Sequence, residues 1–327
     1  MGAPKPHNRK TRNSPTRRRL AFVGVAIFLL VDVGLVALAV TASKPVSSAG
    51  TVAAAPTTTP PSVDPDMTAD LPVVEPVETT VTATVVPTRI LAALDEATAW
   101  RATTGGCPTM SAVPERTTDS GATWESFNAS TGTEASSILA INVVDEAAMS
   151  LVTLDNASCA PQVVSTFVAG AAWKAYPVRA AAEWYIDPAT PDIVHTPGGN
   201  VPAPCAAVAT LAPTDDDKAA VLCVDASIFT TQNAGSSWSA PVSVPGAAAL
   251  AATAEGYQVA VANSPGCVGA SLVAVSLEGA LDAAARTCLA ATVGAGETAL
   301  SATSEGMLWL WAGDAFARSA NGGVTWG

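Results

Sequence analysis

Charge is scarce in this chain: Asp, Glu, Lys and Arg make up only 13% of its 327 residues. So low a share argues against helices held in water by ion pairs. Histidine stands only at His7 and His195, and no two of the six cysteines are spaced as CxxC. The usual zinc arrangements therefore lack their ligands, and neither a metal nor a cofactor is expected. Tyrosine is limited to Tyr176, Tyr185 and Tyr257. What is abundant is apolar and turn-forming: 49% hydrophobic residues, with 24 glycines and 24 prolines. That is enough to fill a core, which excludes disorder of the whole chain, and it favours short strands joined by many turns, an all-β fold.

The net charge of −12 is unevenly spread, because seven of the sixteen basic residues precede residue 20. From Arg89 onward there are 8 Lys/Arg against 22 Asp/Glu. A domain so acidic repels phosphate backbones, so no nucleic-acid partner is expected. Residues 20–42, LAFVGVAIFLLVDVGLVALAVTA, hold one charge, Asp32, in 23 residues. At about 1.5 Å per residue such a helix crosses a hydrocarbon core of about 30 Å. The basic run before it, against the single Lys44 just after it, places residues 1–19 in the cytoplasm and the remainder outside. A cleavable signal peptide is the rival, since Val40-Thr41-Ala42 resembles a cleavage site, but its apolar core is usually shorter than this run. Residues 43–84 turn to Pro, Thr, Val and Ala and read as a semi-rigid extended stalk. Residues 85–327 remain as the outer domain.

Four segments of that domain share one frame: Thr117-x-Asp119-x-Gly121-x-x-Trp124, Thr166-x-Val168-x-Gly170-x-x-Trp173, Thr231-x-Asn233-x-Gly235-x-x-Trp238 and Ser319-x-Asn321-x-Gly323-x-x-Trp326. A fourfold internal match signals a repeat architecture. Its physical logic is a hairpin turn: Asp or Asn accepts backbone N–H bonds, Gly takes a positive φ, and Trp packs as the next strand begins. Val168 breaks the pattern and leaves the second turn without that carboxylate or amide.

The frame resembles the Asp-box (BNR-like repeat), S/T-x-D-x-G-x-x-W, of sialidases, sortilin-type receptors and the photosystem II assembly factor of cyanobacteria and chloroplasts, all β-propellers. The arrangement of basic tail, helix, stalk and repeat domain is also similar to a group of membrane-anchored proteins of actinobacteria, which implies the cell envelope as location. The resemblance implies that the box residues themselves are structural turns facing away from the channel. The box tryptophans are separated by 49, 65 and 88 residues. The last interval is two blades long, with Ser276-Leu277-Glu278-Gly279 in the place of the lost box. Five blades result, or six if the 65-residue interval, with its extra hairpin around Trp184 to Gly199, hides another. Because the sequence stops one residue after Trp326, residues around Val85 to Ala93 are expected to close the ring as the outer strand of the final blade.

All six cysteines lie in the outer domain, where disulfides form. Cys205 with Cys223 and Cys267 with Cys288 are 18 and 21 residues apart, spacings that suit neighbouring antiparallel strands, which leaves Cys107 with Cys159.

A sialidase-like hydrolase needs an arginine clamp for the substrate carboxylate, a Tyr–Glu nucleophile pair and an Asp acid/base. Arg89, Arg101, Arg116, Arg179, Arg286 and Arg318 are the arginines on hand. Arg116 and Arg318 directly precede boxes, and Thr88-Arg89-Ile90-Leu91 lacks the aromatic residue and the Pro of the sialidase F/Y-R-I-P motif. His195 sits where a strand meets a turn and reads as structural. Asp215-Asp216-Asp217-Lys218 reads as a solvated turn whose spacing matches no EF-hand loop. Asn128 and Asn156 open formal glycosylation sequons, and Trp184, Trp309 and Trp311 read as core residues. The expected function is a non-catalytic binding or scaffolding module for a protein or glycan. A sialidase-like hydrolase is the alternative, and an assembly factor for a membrane complex a second one.

Overall fold

The computed structural model describes residues 84–282 and 287–327. The expected basic tail, the expected span with Asp32, the stalk up to residue 83, and Arg286 lie outside the described residues. Among the described residues no helix is long and apolar enough to cross a membrane.

The domain is a six-bladed β-propeller. The first blade is β1 (Arg89–Ala93), β2 (Ala99–Thr103), β3 (Glu115–Thr117) and β4 (Glu125–Ser126). The second is β5 (Ala135–Val143), β6 (Met149–Asp155), β7 (Pro161–Thr166) and β8 (Lys174–Tyr176). A 3-10 turn at Pro177–Ala182 leads to a three-stranded third blade, β9 (Tyr185–Ile186), β10 (Ile193–Thr196) and β11 (Gly199–Pro202). The fourth blade is β12 (Val208–Pro213), β13 (Ala219–Cys223), β14 (Ser227–Thr231) and β15 (Val242–Ser243). The fifth is β16 (Ala247–Thr253), β17 (Gly256–Ala262), β18 (Gly269–Ser276) and β19 (Leu281–Asp282), with β20 (Leu289–Ala290) also paired to β18. The sixth has three strands, β21 (Thr298–Ala302), β22 (Leu308–Ala312) and β23 (Ala315–Ser319).

Each sheet is an antiparallel meander, and the first strands β1, β5, β9, β12, β16 and β21 touch one another in sequence around a closed ring. Blades meet face to face, so their middle strands are buried on both sides and read as unbroken apolar runs, as in Ala-Ala-Val-Leu-Cys of β13. Buried clusters fill the seams. Trp100 and Ala102 of the first blade meet Ile138, Leu151 and Val164 of the second. Leu222 and Ile228 of the fourth blade meet Tyr257, Val259 and Val275 of the fifth. Trp184 and Val194 of the third meet Val208 and Val221 of the fourth. Corresponding clusters join the fifth blade to the sixth and the sixth to the first. Among the described residues the seam between the second and third blades has no such cluster.

The third blade explains why the repeat arithmetic left five or six open. Its first strand is two residues long, its hairpin has no box, and it runs against its neighbours. Asn142, late in β5, bonds Glu183, and Trp184 bonds the carbonyl of Asp215 beyond β12, so the start of β9 lies at their far ends. Val208, opening β12, bonds Pro191 after β9.

The expected closing strand is corrected. β1 is the innermost strand of the first blade, pairing only with β2. In the sixth blade Gly327 instead exchanges two backbone bonds of 2.9 Å with Arg318 of β23. The segment before β1 follows the rim: Thr84 N–H donates to Val224, the Thr84 hydroxyl to Ala247, and Thr88 N–H to Gly296, one contact each on blades four, five and six. The first and sixth blades are joined by side chains. The Arg101 guanidinium lies 4.0 Å from the Trp124 ring centre and 4.6 Å from that of Trp311, while Arg89 lies 4.4 Å from Trp311. Glu115 holds Arg101 at 2.7 Å, and Arg89 donates to the carbonyls of Glu297 and Gly313.

Candidate functional site

The two faces of the ring are built differently. On one, the turn between the third and fourth strands of blades one, two and four is tied to the turn between the first and second: Ser120 bonds Ala97, Ala169 bonds Ala147 and Ala234 bonds Asp217, at 2.8–2.9 Å. The four box segments form these outer turns. Thr117, Thr166, Thr231 and Ser319 each accept a bond through the side-chain oxygen from the N–H of the box glycine, at 2.8–2.9 Å. Asp119 accepts from the Thr123 N–H and hydroxyl, Asn233 from Ser237 N–H, and Asn321 from Thr325 N–H. Val168 offers no such acceptor, and Thr166 is the box side chain that accepts backbone bonds in the second turn. The box glycines take positive φ, and a Cβ at Gly121 would stand 2.5 Å from the Phe316 ring. Trp124 Nε1 closes on Gly121 and Trp326 Nε1 on Thr287, whereas Trp173 Nε1 and Trp238 Nε1 are buried without a partner. Ser276 accepts from the N–H groups of Glu278 and Ala280, the same frame without its tryptophan.

The opposite face carries the loops between second and third strands and the links from blade to blade. All three disulfides are there. Cys107–Cys159 ties a long loop of the first blade to the corresponding turn of the second. Cys205–Cys223 ties the link into β12 to the end of β13, and Cys267–Cys288 ties the loop before β18 to the segment before β20. The rim segment 84–88 and the exposed side chains of Asn128 and Asn156 share this face.

The arginines considered for a carboxylate clamp are spread over seams. Arg89 and Arg101 join blades one and six, and Arg318 lies over Trp309 and donates to the carbonyl of Glu96. Arg116 lies over Trp100 and Phe127 and donates to Ala169 of the second blade. Arg179 stacks on Tyr176 at 4.0 Å. Trp184 and Trp309 are buried, each with its Nε1 on a backbone carbonyl. Asp215 folds back on the N–H groups of Asp217 and Lys218 and pairs with Lys218 Nζ, a closed turn on the box face.

His195 has the richer setting. Its Nδ1 lies 2.8 Å from the carbonyl of Glu183 and its ring stacks on Tyr185 at 4.2 Å. A carbonyl only accepts, so Nδ1 carries a proton, and in the neutral ring the lone pair lies on Nε2. Burial pushes the Tyr185 phenol above its ordinary value, with the charge of Asp187 adding to it. Burial also raises the Glu183 carboxyl, against the bond from Asn142. Tyr185, His195, Asp187, Thr190, Ile193 and Asn200 line a cavity of about 330 Å³, closed on one side by Pro161 of the second blade. The cavity thus opens at the one seam without a buried apolar cluster among the described residues. Sequence reasoning noted His195 but had no signal for its neighbours, because they meet only through the reversed third blade.

No family model matches the chain, and no curated protein matches it. Solved structures with a similar arrangement include YCF48 bound to a D1 peptide (16% identity, TM-score 0.26, 76% of this chain and 68% of that one). YCF48 from Cyanidioschyzon merolae follows at 13% identity and TM-score 0.26, over 76% of this chain and 86% of that one. A GH74 xyloglucanase from Xanthomonas campestris matches at 18% identity and TM-score 0.31, over 73% of this chain and 37% of that one.

Proposed function

We propose that the propeller is a non-catalytic binding module that holds a partner protein against its disulfide-bearing face, displayed outside the cell on the apolar span of residues 20–42. The observation that carries this reading is the placement of all three disulfides on one face, where they restrain its loops, the segments on which binding residues are commonly carried. Loops restrained before contact lose less conformational freedom on binding. The box turns restrain the other face with backbone bonds, which leaves those residues occupied. The arginines support the same reading, since four of them are engaged at blade seams rather than gathered around one substrate carboxylate. Residues 84–88 join the ring on the disulfide face and add a further restraint there.

The test is affinity capture of the full-length protein from its own membranes, run beside a version lacking residues 84–327. Partners recovered only with the full-length protein support the module. The same partners recovered with both forms assign the function to the span or stalk and overturn it.

A further inference from the structure

Resting on the reading of the propeller as a protein-binding module, we propose that the cavity between the second and third blades receives an arginine side chain of the partner. Its lining is rich in acceptors. Asp187 brings a carboxylate, of which one oxygen caps Ala189 N–H at 2.9 Å. His195 bonds the Glu183 carbonyl through Nδ1, so in the neutral ring Nε2 is the nitrogen that can accept. Tyr185 is only 8% exposed, yet among the described residues its hydroxyl has no hydrogen-bond partner, and the side chains of Thr190 and Asn200 have none either. The Tyr185 ring is buried while its hydroxyl, bonded to no protein group among the described residues, opens onto the cavity, where it is free to bond a ligand.

The chemistry of that ligand follows from the inventory. The lining has the Asp187 carboxylate and no Lys or Arg, within a domain of 8 basic and 22 acidic residues from Arg89 onward, so an anion is disfavoured. A guanidinium offers five N–H donors in a planar fork and accepts nothing, which complements a carboxylate, an imidazole lone pair and an amide oxygen. Pro161 and Ile193 supply apolar surface for its methylene stem. The loop from Asp187 to Asp192 holds its shape through Pro188 and Pro191 and through bonds from Thr190 N–H to Asp187 and from Ile193 N–H to Thr190. A neutral sugar can donate a hydroxyl to Asp187 but brings no charge to balance the carboxylate, so the guanidinium is the better complement.

The chain has only two histidines, so ring-labelled histidine gives two NMR signals, and His195→Gln assigns them. Full-length protein in detergent is titrated with acetyl-Gly-Arg-Gly-amide, with its citrulline counterpart, and with glucose and N-acetylglucosamine. The arginine peptide is expected to shift the His195 signal saturably. Citrulline, and separately Asp187→Asn, should weaken binding by about tenfold, the loss expected when a hydrogen bond loses its charge. Asparagine at 187 keeps an oxygen for the Ala189 cap, and Asn200→Leu provides a second variant expected to bind more weakly. No saturable shift with the arginine peptide, equal binding of citrulline, or a response to the sugars instead would overturn the proposal. If the titration fails while the propeller still captures its partner, only the arginine pocket falls. If capture fails too, the binding-module reading falls with it.

Discussion

Asp119 and Val168 occupy the same position in two otherwise equivalent turns and give opposite predictions. The Asp119 carboxyl is pulled down to about 2, first by the Thr123 hydroxyl, then by the Thr123 N–H and the Thr117 hydroxyl. A folded value below the unfolded one contributes stability above about pH 4, and that contribution fades as the pH falls through the folded value. Thermal unfolding of the native protein and Asp119→Asn should therefore differ at pH 6 and converge toward pH 2; a gap that does not change with pH contradicts this. At Val168 the missing acceptor leaves the second turn underbonded, and the side chain is 53% exposed, so replacing it uncovers no core. Val168→Asp should add about 0.5–1.5 kcal/mol, the worth of one recovered hydrogen bond, and raise Tm. A lowered Tm would mean that the valine is held by contacts outside this turn.

The seams between elements show what a linear reading captured and what it missed. The box frames marked the outer turns of four blades because Thr or Ser, Gly and Trp act within eight consecutive residues, and Ser276 marked a fifth through the same local bonds. The third blade, legible only as a hairpin around Trp184 to Gly199 and the open choice between five and six, lacks a box because β9 reverses direction and is set by Glu183, Trp184 and Pro191 contacting other blades. Ring closure was misjudged for a related reason. It rests on the cluster of Leu91, Ala99, Ala299 and Trp309 and on the stack of Arg89, Trp311, Arg101 and Trp124, residues far apart in sequence with no local pattern. Arg101→Leu removes the middle of that stack and leaves Glu115 unpaired, which should cost about 1–3 kcal/mol. Arg179→Leu, exposed and outside any seam cluster, serves as the control. Equal Tm values for the two variants would show that closure rests elsewhere.

For the molecule as a whole, a sharp division of labour between faces governs the account. One face is stitched by backbone bonds at the box turns, the other by disulfides, the rim segment and the cavity at the open seam. The candidate site was barely legible in the sequence: cysteine spacing indicated pairs, but only strand direction puts all three pairs on one side. His195 stood out by its rarity, not by its surroundings. Exposed apolar positions exist on both faces, Val113 and Val268 on the disulfide side and Val144 and Val324 on the box side, so the two faces can be probed with equivalent changes. The most direct measurement places a photo-crosslinking amino acid singly at each of these four positions in the full-length protein, in its own membranes. Adducts to one partner from Val113 and Val268, with none from Val144 and Val324, are the result the account predicts; adducts confined to Val144 and Val324 would contradict it.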